Sequence, residues 1–267
     1  MQSVRVRLNF FIILLILALT ACVAQNDLAP TGTYLPPPGV YVTSKAFTQP
    51  TITPISTPTL LLSNSQAEKP AYHVCSPLEI HPLEELPEII SDPYHPPPMG
   101  KDERHQGVDF SYYQRGERSS IQGVGVQSIL AGKVAASIPN SFPFGNLVIV
   151  ETPGSDLPDW LRFQLGITAS ESLYVMYAHL DETPLVSRGQ SIQQCQLIGK
   201  VGKSGNAGIA HLHLETRIGP YGSFFSTMAY YLADTTPEER DNYVLWRMSG
   251  VFRHFDPMRL LVPILSP

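Results

Sequence analysis

Residues 211–218 read His-Leu-His-Leu-Glu-Thr-Arg-Ile, and polar and aliphatic side chains alternate through the first five positions. Side chains of a β-strand point alternately to its two faces, so this stretch is predicted to be a strand. We expect Leu212 and Leu214 to face a core, and His211 and His213 to lie together on the opposite face. Two imidazoles on one strand face can serve one metal ion and one reaction.

The domain around this strand is predicted to be mainly β. Short apolar or alternating runs, separated by glycine and proline, recur at residues 107–112, 127–130, 133–137, 147–152, 173–180 and 196–201. Runs of this length are typical of strands joined by turns. Their spacing favours an antiparallel β-sandwich or open barrel over βαβ units.

A small helical insertion is predicted near the C-terminus. Thr236 has the chemistry of an N-cap, Pro237 suits the first helical position, and Glu239 completes a capping box. The helix is expected to continue to about Met248. The segment 224–233 is predicted to form a second short helix.

The N-terminal residues have the composition of an export signal. Two arginines precede an apolar run over residues 10–19, which is too short for a permanent membrane span. The sequence Leu19-Thr20-Ala21-Cys22 resembles the bacterial lipobox. We therefore predict a lipoprotein signal peptide over residues 1–21 and lipid attachment at Cys22. An ordinary signal peptide or an uncleaved anchor is the alternative.

The rest of the chain divides by composition. Residues 22–71 are rich in proline, serine and threonine, which predicts a disordered linker between the lipid and a folded domain. A lead-in segment (residues 72–97) precedes a globular domain over residues 98–267, long enough to form a core. The formal net charge of −5, without a basic stripe, argues against a nucleic-acid partner.

Two cysteines remain in the folded part of the chain. In an oxidising cell envelope Cys75 and Cys195 either form a disulfide or stay as buried thiols. The sequence leaves this choice open because it does not show whether the two residues are close together.

Two further clusters carry chemistry. His105 and Asp109 are separated by Gln106, Gly107 and Val108, and a glycine at this place favours a loop entering a strand over a helix. A turn at Gly107 can bring the imidazole and the carboxylate to one ion. Both groups are suitable ligands for zinc. The other cluster is Tyr177-Ala178-His179-Leu180.

The order of these clusters resembles that of the lysostaphin-type (LytM-like) zinc metallopeptidases: His105-x-x-x-Asp109, then Tyr177-x-His179, then His211-x-His213. The glycine-rich residues 199–205 and Asp256-Pro257 resemble other parts of that family. The resemblance covers residues 98–262 approximately, and it implies the family's duplicated hybrid motif fold.

The resemblance also implies a role for five residues. His105, Asp109 and His213 correspond to the ligands of one zinc ion per chain, Zn²⁺ being the expected cofactor. His179 and His211 correspond to the catalytic histidines. We assign His211 as the general base and His179 as the stabiliser of the transition state, with the reverse division left open.

Two neighbours of the site are predicted to support it. Glu215 is expected on the side of His213, where it either orients this ligand or pairs with another group at the surface. Tyr177 lies two residues before His179, so it either lines the cleft or packs in the core.

Two stretches depart from the compact pattern of the family. Extra residues lie between Val150 and Leu173 and between Arg217 and Asp256. The second stretch holds the predicted helix and several aromatic residues, which either pack against the sheet or form the wall of a groove. These stretches leave substrate choice open.

The implied activity is hydrolysis of peptide bonds in bacterial cell-wall peptidoglycan, in stem peptides or cross-bridges, by a zinc-activated water. A lipid-anchored protein exported to the cell envelope and facing the wall can reach this substrate. One alternative is a regulator without activity that binds peptidoglycan and activates cell-wall amidases, since some family members have lost the metal site. All five residues are present here, which favours the enzyme. A peptidase with another target is a third possibility.

Overall fold

The structure is a computed structural model that describes residues 74–98, 100–112 and 120–261. The predicted signal peptide (residues 1–21), the predicted lipid attachment at Cys22 and the predicted linker (residues 22–71) lie outside these ranges. Among the residues described, none of the helices combines the length and the apolar character that a membrane crossing requires.

The described chain forms ten strands: β1 (Ile90–Asp92), β2 (Val108–Phe110), β3 (Gly125–Gln127), β4 (Gly132–Ser141), β5 (Gly145–Pro153), β6 (Glu171–Leu180), β7 (Ser191–Ile192), β8 (Leu197–Lys200), β9 (Leu212–Pro220) and β10 (Arg253–Phe255). Eight of them form one antiparallel sheet in the order β1-β2-β9-β6-β5-β4-β7, with β10 also paired to β9. Strands β3 and β8 form a separate two-stranded sheet. The predicted fold class, mainly antiparallel β in an open arrangement, is confirmed.

Strand β9 follows the predicted alternation and separates two cores. Leu212 and Leu214 are buried in a first core, which also holds residues of β3 and β8. His213, Glu215 and Arg217 are buried on the opposite face. That face of the sheet carries a second core, which includes Phe144, Tyr174, Met176, Phe225, Met228, Tyr243, Trp246 and Phe252.

In the described part of the chain, three α-helices lie between or after the strands: α1 (Asp159–Leu165), α2 (Pro237–Arg247) and α3 (Met258–Leu261). Two 3-10 helices cover Leu83–Ile89 and Gly154–Asp156. Helix α2 confirms the predicted insertion. The Thr236 side chain accepts a hydrogen bond from the Glu239 backbone, and the Glu239 carboxylate accepts one from the Thr236 backbone, which completes the predicted capping box.

The prediction of a second short helix over residues 224–233 is wrong. This segment is irregular because its backbone donates hydrogen bonds to other parts of the fold instead of to its own preceding turn. The Phe225 N–H bonds to the carbonyl of Ala135 on β4, and the Tyr230 N–H bonds to that of Phe142. Contacts with the sheet therefore override the local helical pattern.

A disulfide joins Cys75 to Cys195, which decides the choice that the sequence left open. It connects the lead-in segment to the turn between β7 and β8. Leu78, Leu86 and Ile89 of the lead-in segment are buried in the first core. The described part of this segment, which begins at residue 74, is thus packed into the domain.

Candidate metal and catalytic site

Two adjacent strands bring the first and last motifs together. Asp109 on β2 pairs directly with His213 on β9, so their side chains project from the same face of the sheet. His105 lies in the loop that enters β2, as predicted. A Cβ atom at Gly107 in this loop would lie 2.5 Å from the carbonyl oxygen of Leu214 and 2.8 Å from the His213 ring. Glycine is therefore required where the loop crosses β9.

The three predicted ligands converge on one point. His105 Nε2 lies 3.0 Å from Asp109 Oδ1 and 3.0 Å from His213 Nδ1. Asp109 Oδ1 and His213 Nδ1 are 2.8 Å apart. Ligand atoms bound tetrahedrally to zinc at their usual distances are about 3.3 Å from one another. Two imidazoles and one carboxylate in this compact triangle fit a zinc ion with only a small outward movement.

The other nitrogen of each ligand imidazole also has a partner. His105 Nδ1 lies 3.0 Å from the carbonyl oxygen of Pro93, and His213 Nε2 lies 3.1 Å from Glu215 Oε1. Such outer contacts fix the tautomer and the orientation of metal-binding histidines. Two placements were predicted for Glu215, beside His213 or paired with another group at the surface. It is fully buried and lies beside His213.

The electrostatics of the cluster favour a cation. Burial alone would raise the pKa of Asp109, but hydrogen bonds with His105 and His213 outweigh it and hold this pKa well below its usual range. Burial alone would lower the pKa of His213, but the carboxylates of Asp109 and Glu215 raise this pKa to about 9. Two ionised carboxylates therefore flank His213, and a positive charge is stabilised between them.

The predicted catalytic histidines lie side by side next to this triangle. Their ring centroids are 4.6 Å apart. The Nδ1 of His179 lies 2.8 Å from the carbonyl oxygen of Ser204, and that of His211 lies 2.9 Å from the carbonyl oxygen of Ile209. Each Nδ1 can therefore donate its proton to a carbonyl, which leaves Nε2 as the acceptor of a neutral ring. His211 Nε2 is 3.5 Å from Asp109 Oδ2.

His179 is held in its neutral form. Burial lowers its pKa to about 3, and the neighbouring imidazoles of His213 and His211 act in the same direction. A neutral His179 accepts a proton or a hydrogen bond at Nε2. His179 was assigned as the stabiliser of the transition state, a role that needs a protonated ring, and its low pKa disfavours that form. The division of roles between His179 and His211 stays a prediction.

All of these residues lie in a segment that matches a protein-family model. Residues 103–223 match the model of peptidase family M23. The matched segment contains the three predicted ligands and both predicted catalytic histidines.

This chain is also similar to several solved structures. The catalytic domain of lysostaphin from Staphylococcus simulans has 19% identity and a TM-score of 0.40, and the match covers 68% of this chain and 98% of that one. The catalytic domain of the prophage-encoded M23 protein EnpA from Enterococcus faecalis has 19% identity and a TM-score of 0.34, covering 50% and 82%. A zinc-containing peptidase from Vibrio cholerae has 24% identity and a TM-score of 0.32, covering 48% and 32%.

Tyr177 does not line the cleft. It is fully buried in the first core, and its hydroxyl accepts a hydrogen bond from the Ile129 backbone at 2.8 Å. The reason is a bulge: Asn146 and Val148 of β5 pair with Leu180 and Tyr177 of β6, so β6 holds one extra residue. His179, inside this bulge, has a φ of 59°. The bulge breaks the alternation and turns His179 toward the opposite face from Tyr177.

A groove of about 520 Å³ opens over the predicted metal ligands and catalytic histidines. Besides these histidines and Asp109, its lining residues are Phe142, Pro143, Phe144, Asn206, Tyr231, Tyr243 and Arg247. The aromatic residues of the C-terminal insertion thus both pack against the sheet and form part of the groove wall, which were predicted as alternatives. Tyr243 is buried in the second core and also lines the groove, while Tyr231 lines it from an exposed position.

Sequence reasoning missed two charged residues beside the site. Arg247, at the end of α2, contacts both Glu215 and Asp102. Neither Arg247 nor Asp102 belongs to a recognisable motif, and they are 145 positions apart in the chain. Arg247 lies in the last turn of a helix, where a basic residue is common for local reasons, so its sequence position did not distinguish it.

Proposed function

We propose that this protein is a zinc-dependent peptidase that hydrolyses peptide bonds in bacterial cell-wall peptidoglycan. One observation carries the proposal: the His105, Asp109 and His213 ligand atoms converge within 3.0 Å of one another beside two further imidazoles. The match to peptidase family M23 supports the reaction type. The choice of peptidoglycan is supported by the motif resemblance to lysostaphin-type enzymes.

The residues divide into those that hold the metal and those that move protons. His105, Asp109 and His213 would hold zinc, with Glu215 and the Pro93 carbonyl fixing the two imidazoles. Zinc bound there supplies a Lewis acid that lowers the pKa of a water molecule and polarises a carbonyl. His211 and His179 line the groove, where the Nε2 atom of one accepts the proton of the attacking water and later returns it to the leaving amine.

The test is digestion of purified peptidoglycan by the zinc-loaded protein, with the released fragments identified by mass spectrometry. The wild-type protein is expected to release fragments with new amino termini, which identify the bond. His211→Ala is the matched control, because it should keep one zinc per chain and release no fragments. A wild-type protein that binds zinc but releases nothing would contradict the peptidase and favour the regulator of cell-wall amidases.

We also propose that the protein is exported and anchored by a lipid at Cys22, facing the cell wall. The apolar run over residues 10–19 and the lipobox-like Leu19-Thr20-Ala21-Cys22 support this location. The test is cell fractionation of the wild type and of Cys22→Ala. The wild type should sediment with membranes and the variant should not. Equal membrane association of the two would contradict lipid attachment at this cysteine.

A further inference from the structure

Helix α2 lies outside the segment that matches the M23 family, yet its last residue reaches the metal site. The side chain of Arg247 is only 11% exposed, and it lines the groove above the predicted ligands. Its guanidinium makes contacts in three directions, all of them toward residues that surround those ligands.

The first contact is with the carboxylate that holds His213. Arg247 Nη1 donates to Glu215 Oε1 at 3.0 Å, and the same oxygen faces His213 Nε2 at 3.1 Å. The other oxygen, Oε2, accepts hydrogen bonds from Arg217 and from the Trp246 indole. Arg247 and the predicted ligand His213 therefore contact the same oxygen of Glu215, Oε1.

The second contact is with the loop that carries His105. Arg247 Nη2 donates to the backbone carbonyl of Arg104 at 3.2 Å. Arg104 has a φ of 66°, a left-handed conformation that residues other than glycine rarely adopt. The hydrogen bond holds this carbonyl immediately before His105. One guanidinium thus connects the two chain segments that supply imidazole ligands.

The third contact orients the guanidinium itself. Arg247 Nε donates to Asp102 Oδ1. The other oxygen of Asp102 accepts hydrogen bonds from the hydroxyls of Tyr243 and Tyr231. These three directions use donors at fixed angles in one plane, which is a property of arginine that lysine lacks.

We propose that Arg247 is a positioning residue of the metal site, and that helix α2 belongs to this site. It fixes the His213 ligand through Glu215 and the His105 ligand through the Arg104 carbonyl. The inference rests on the zinc site of the proposed function, and it is independent of peptidoglycan being the substrate.

The test measures metal binding by the full-length protein, without using activity. Zinc affinity is obtained by competition with a chromophoric chelator, and ligand geometry from the visible absorption of the Co²⁺-substituted protein. Arg247→Met should bind zinc about 10- to 100-fold more weakly and show an altered Co²⁺ spectrum, the usual effect of losing an outer partner of a metal ligand. Arg247→Lys, which keeps a cation beside Glu215, should show a smaller loss in affinity.

The matched control is Arg240→Met, an exposed arginine on the same helix that packs over the Tyr230 ring. It should have the affinity and spectrum of the wild type. Circular dichroism identifies the variants that are folded, and Arg247→Lys decides the outcome if Arg247→Met does not fold. Unchanged affinity and spectrum in a folded Arg247 variant, even one with a lower melting temperature, would overturn the positioning role alone. A wild-type protein that binds neither metal would overturn the zinc site as well.

Discussion

The Nδ1 atom of His179 lies 2.8 Å from the backbone carbonyl oxygen of Ser204. The Ser204 hydroxyl donates to the carbonyl of Leu180 at 2.7 Å and accepts from the Asn146 N–H at 2.9 Å. Ser204 therefore connects its loop to β6, directly after His179, and to β5. The orientation of this imidazole depends on the glycine-rich loop as well as on the strand that carries it.

The first prediction concerns His179 itself. His179→Ala should keep one zinc per chain, because its side chain is not part of the ligand triangle, and should lose at least about 100-fold in kcat, the usual share of a proton-transfer group. Metal analysis and release of peptidoglycan fragments measure the two effects. His95→Ala removes an exposed side chain and leaves the backbone hydrogen bonds between residues 95 and 105 in place, so it is the control and should match the wild type. Loss of zinc from His179→Ala would assign this residue to the metal instead.

The second prediction concerns the loop behind His179. Gly205 has a φ of 71°, and a Cβ atom there would lie 2.3 Å from the Gly145 nitrogen and the Pro143 carbonyl oxygen. Gly205→Ala should therefore displace the Ser204 carbonyl, and a displacement of this kind costs about 100-fold in activity. Zinc content should not change. Stability, measured by urea unfolding, should fall by about 1–3 kcal/mol from backbone strain.

Gly208 in the same loop provides the comparison. A Cβ atom at Gly208 meets nothing within 4 Å, and its φ is not positive. Gly208→Ala should keep the activity and stability of the wild type. Equal losses in the two variants would show that the loop tolerates no side chain at all, and that Gly205 has no particular role.

The sequence was sufficient where the structure depends on local rules. The alternation at residues 211–215 places Leu212 and Leu214 in a core and His213 on the opposite face, because only the period of a strand is involved. The cap of α2 at Thr236 was equally local. The predicted ligand set came from the order of the motifs, and the adjacent strands β2 and β9 explain why two of its residues, 104 positions apart, meet.

Other features depend on contacts that leave no local pattern. Regular alternation would put Tyr177 and His179 on the same face, but the extra residue in β6 puts them on opposite faces. Nothing in the sequence of that strand marks this bulge. The segment 224–233 has a helical pattern, but its N–H groups bond to β4 and to Phe142. Arg247 lies beside Glu215 only because α2 packs on the face of the sheet that carries the second core.

The third prediction tests the placement of Tyr177. Tyr177→Phe removes the acceptor of the Ile129 N–H and leaves this buried donor unpaired, which costs about 1–3 kcal/mol. The free energy of unfolding in urea should fall by this amount, while kcat/KM and zinc content stay unchanged. Tyr221→Phe, at an exposed tyrosine, should change neither quantity. A Tyr177→Phe variant with normal stability but reduced hydrolysis would instead place this hydroxyl in the cleft.

The fourth prediction concerns the disulfide between Cys75 and Cys195. These residues are 120 positions apart, so the bond closes a long loop of the unfolded chain and should stabilise the domain by about 2–5 kcal/mol. Urea unfolding with and without a reductant measures this difference. In the Cys75→Ser/Cys195→Ser variant the midpoint should be low and insensitive to the reductant.

The reduced protein should still bind zinc as long as it is folded. The lead-in segment is held at the site independently of the disulfide, since His95 and His105 exchange two backbone hydrogen bonds and β1 pairs with β2. The Pro93 carbonyl should therefore stay beside His105 Nδ1 after reduction. Zinc affinity measured below the unfolding midpoint, with and without reductant, should be equal. A large loss of affinity in the folded, reduced protein would show that the disulfide, and not these backbone pairs, keeps the segment in place.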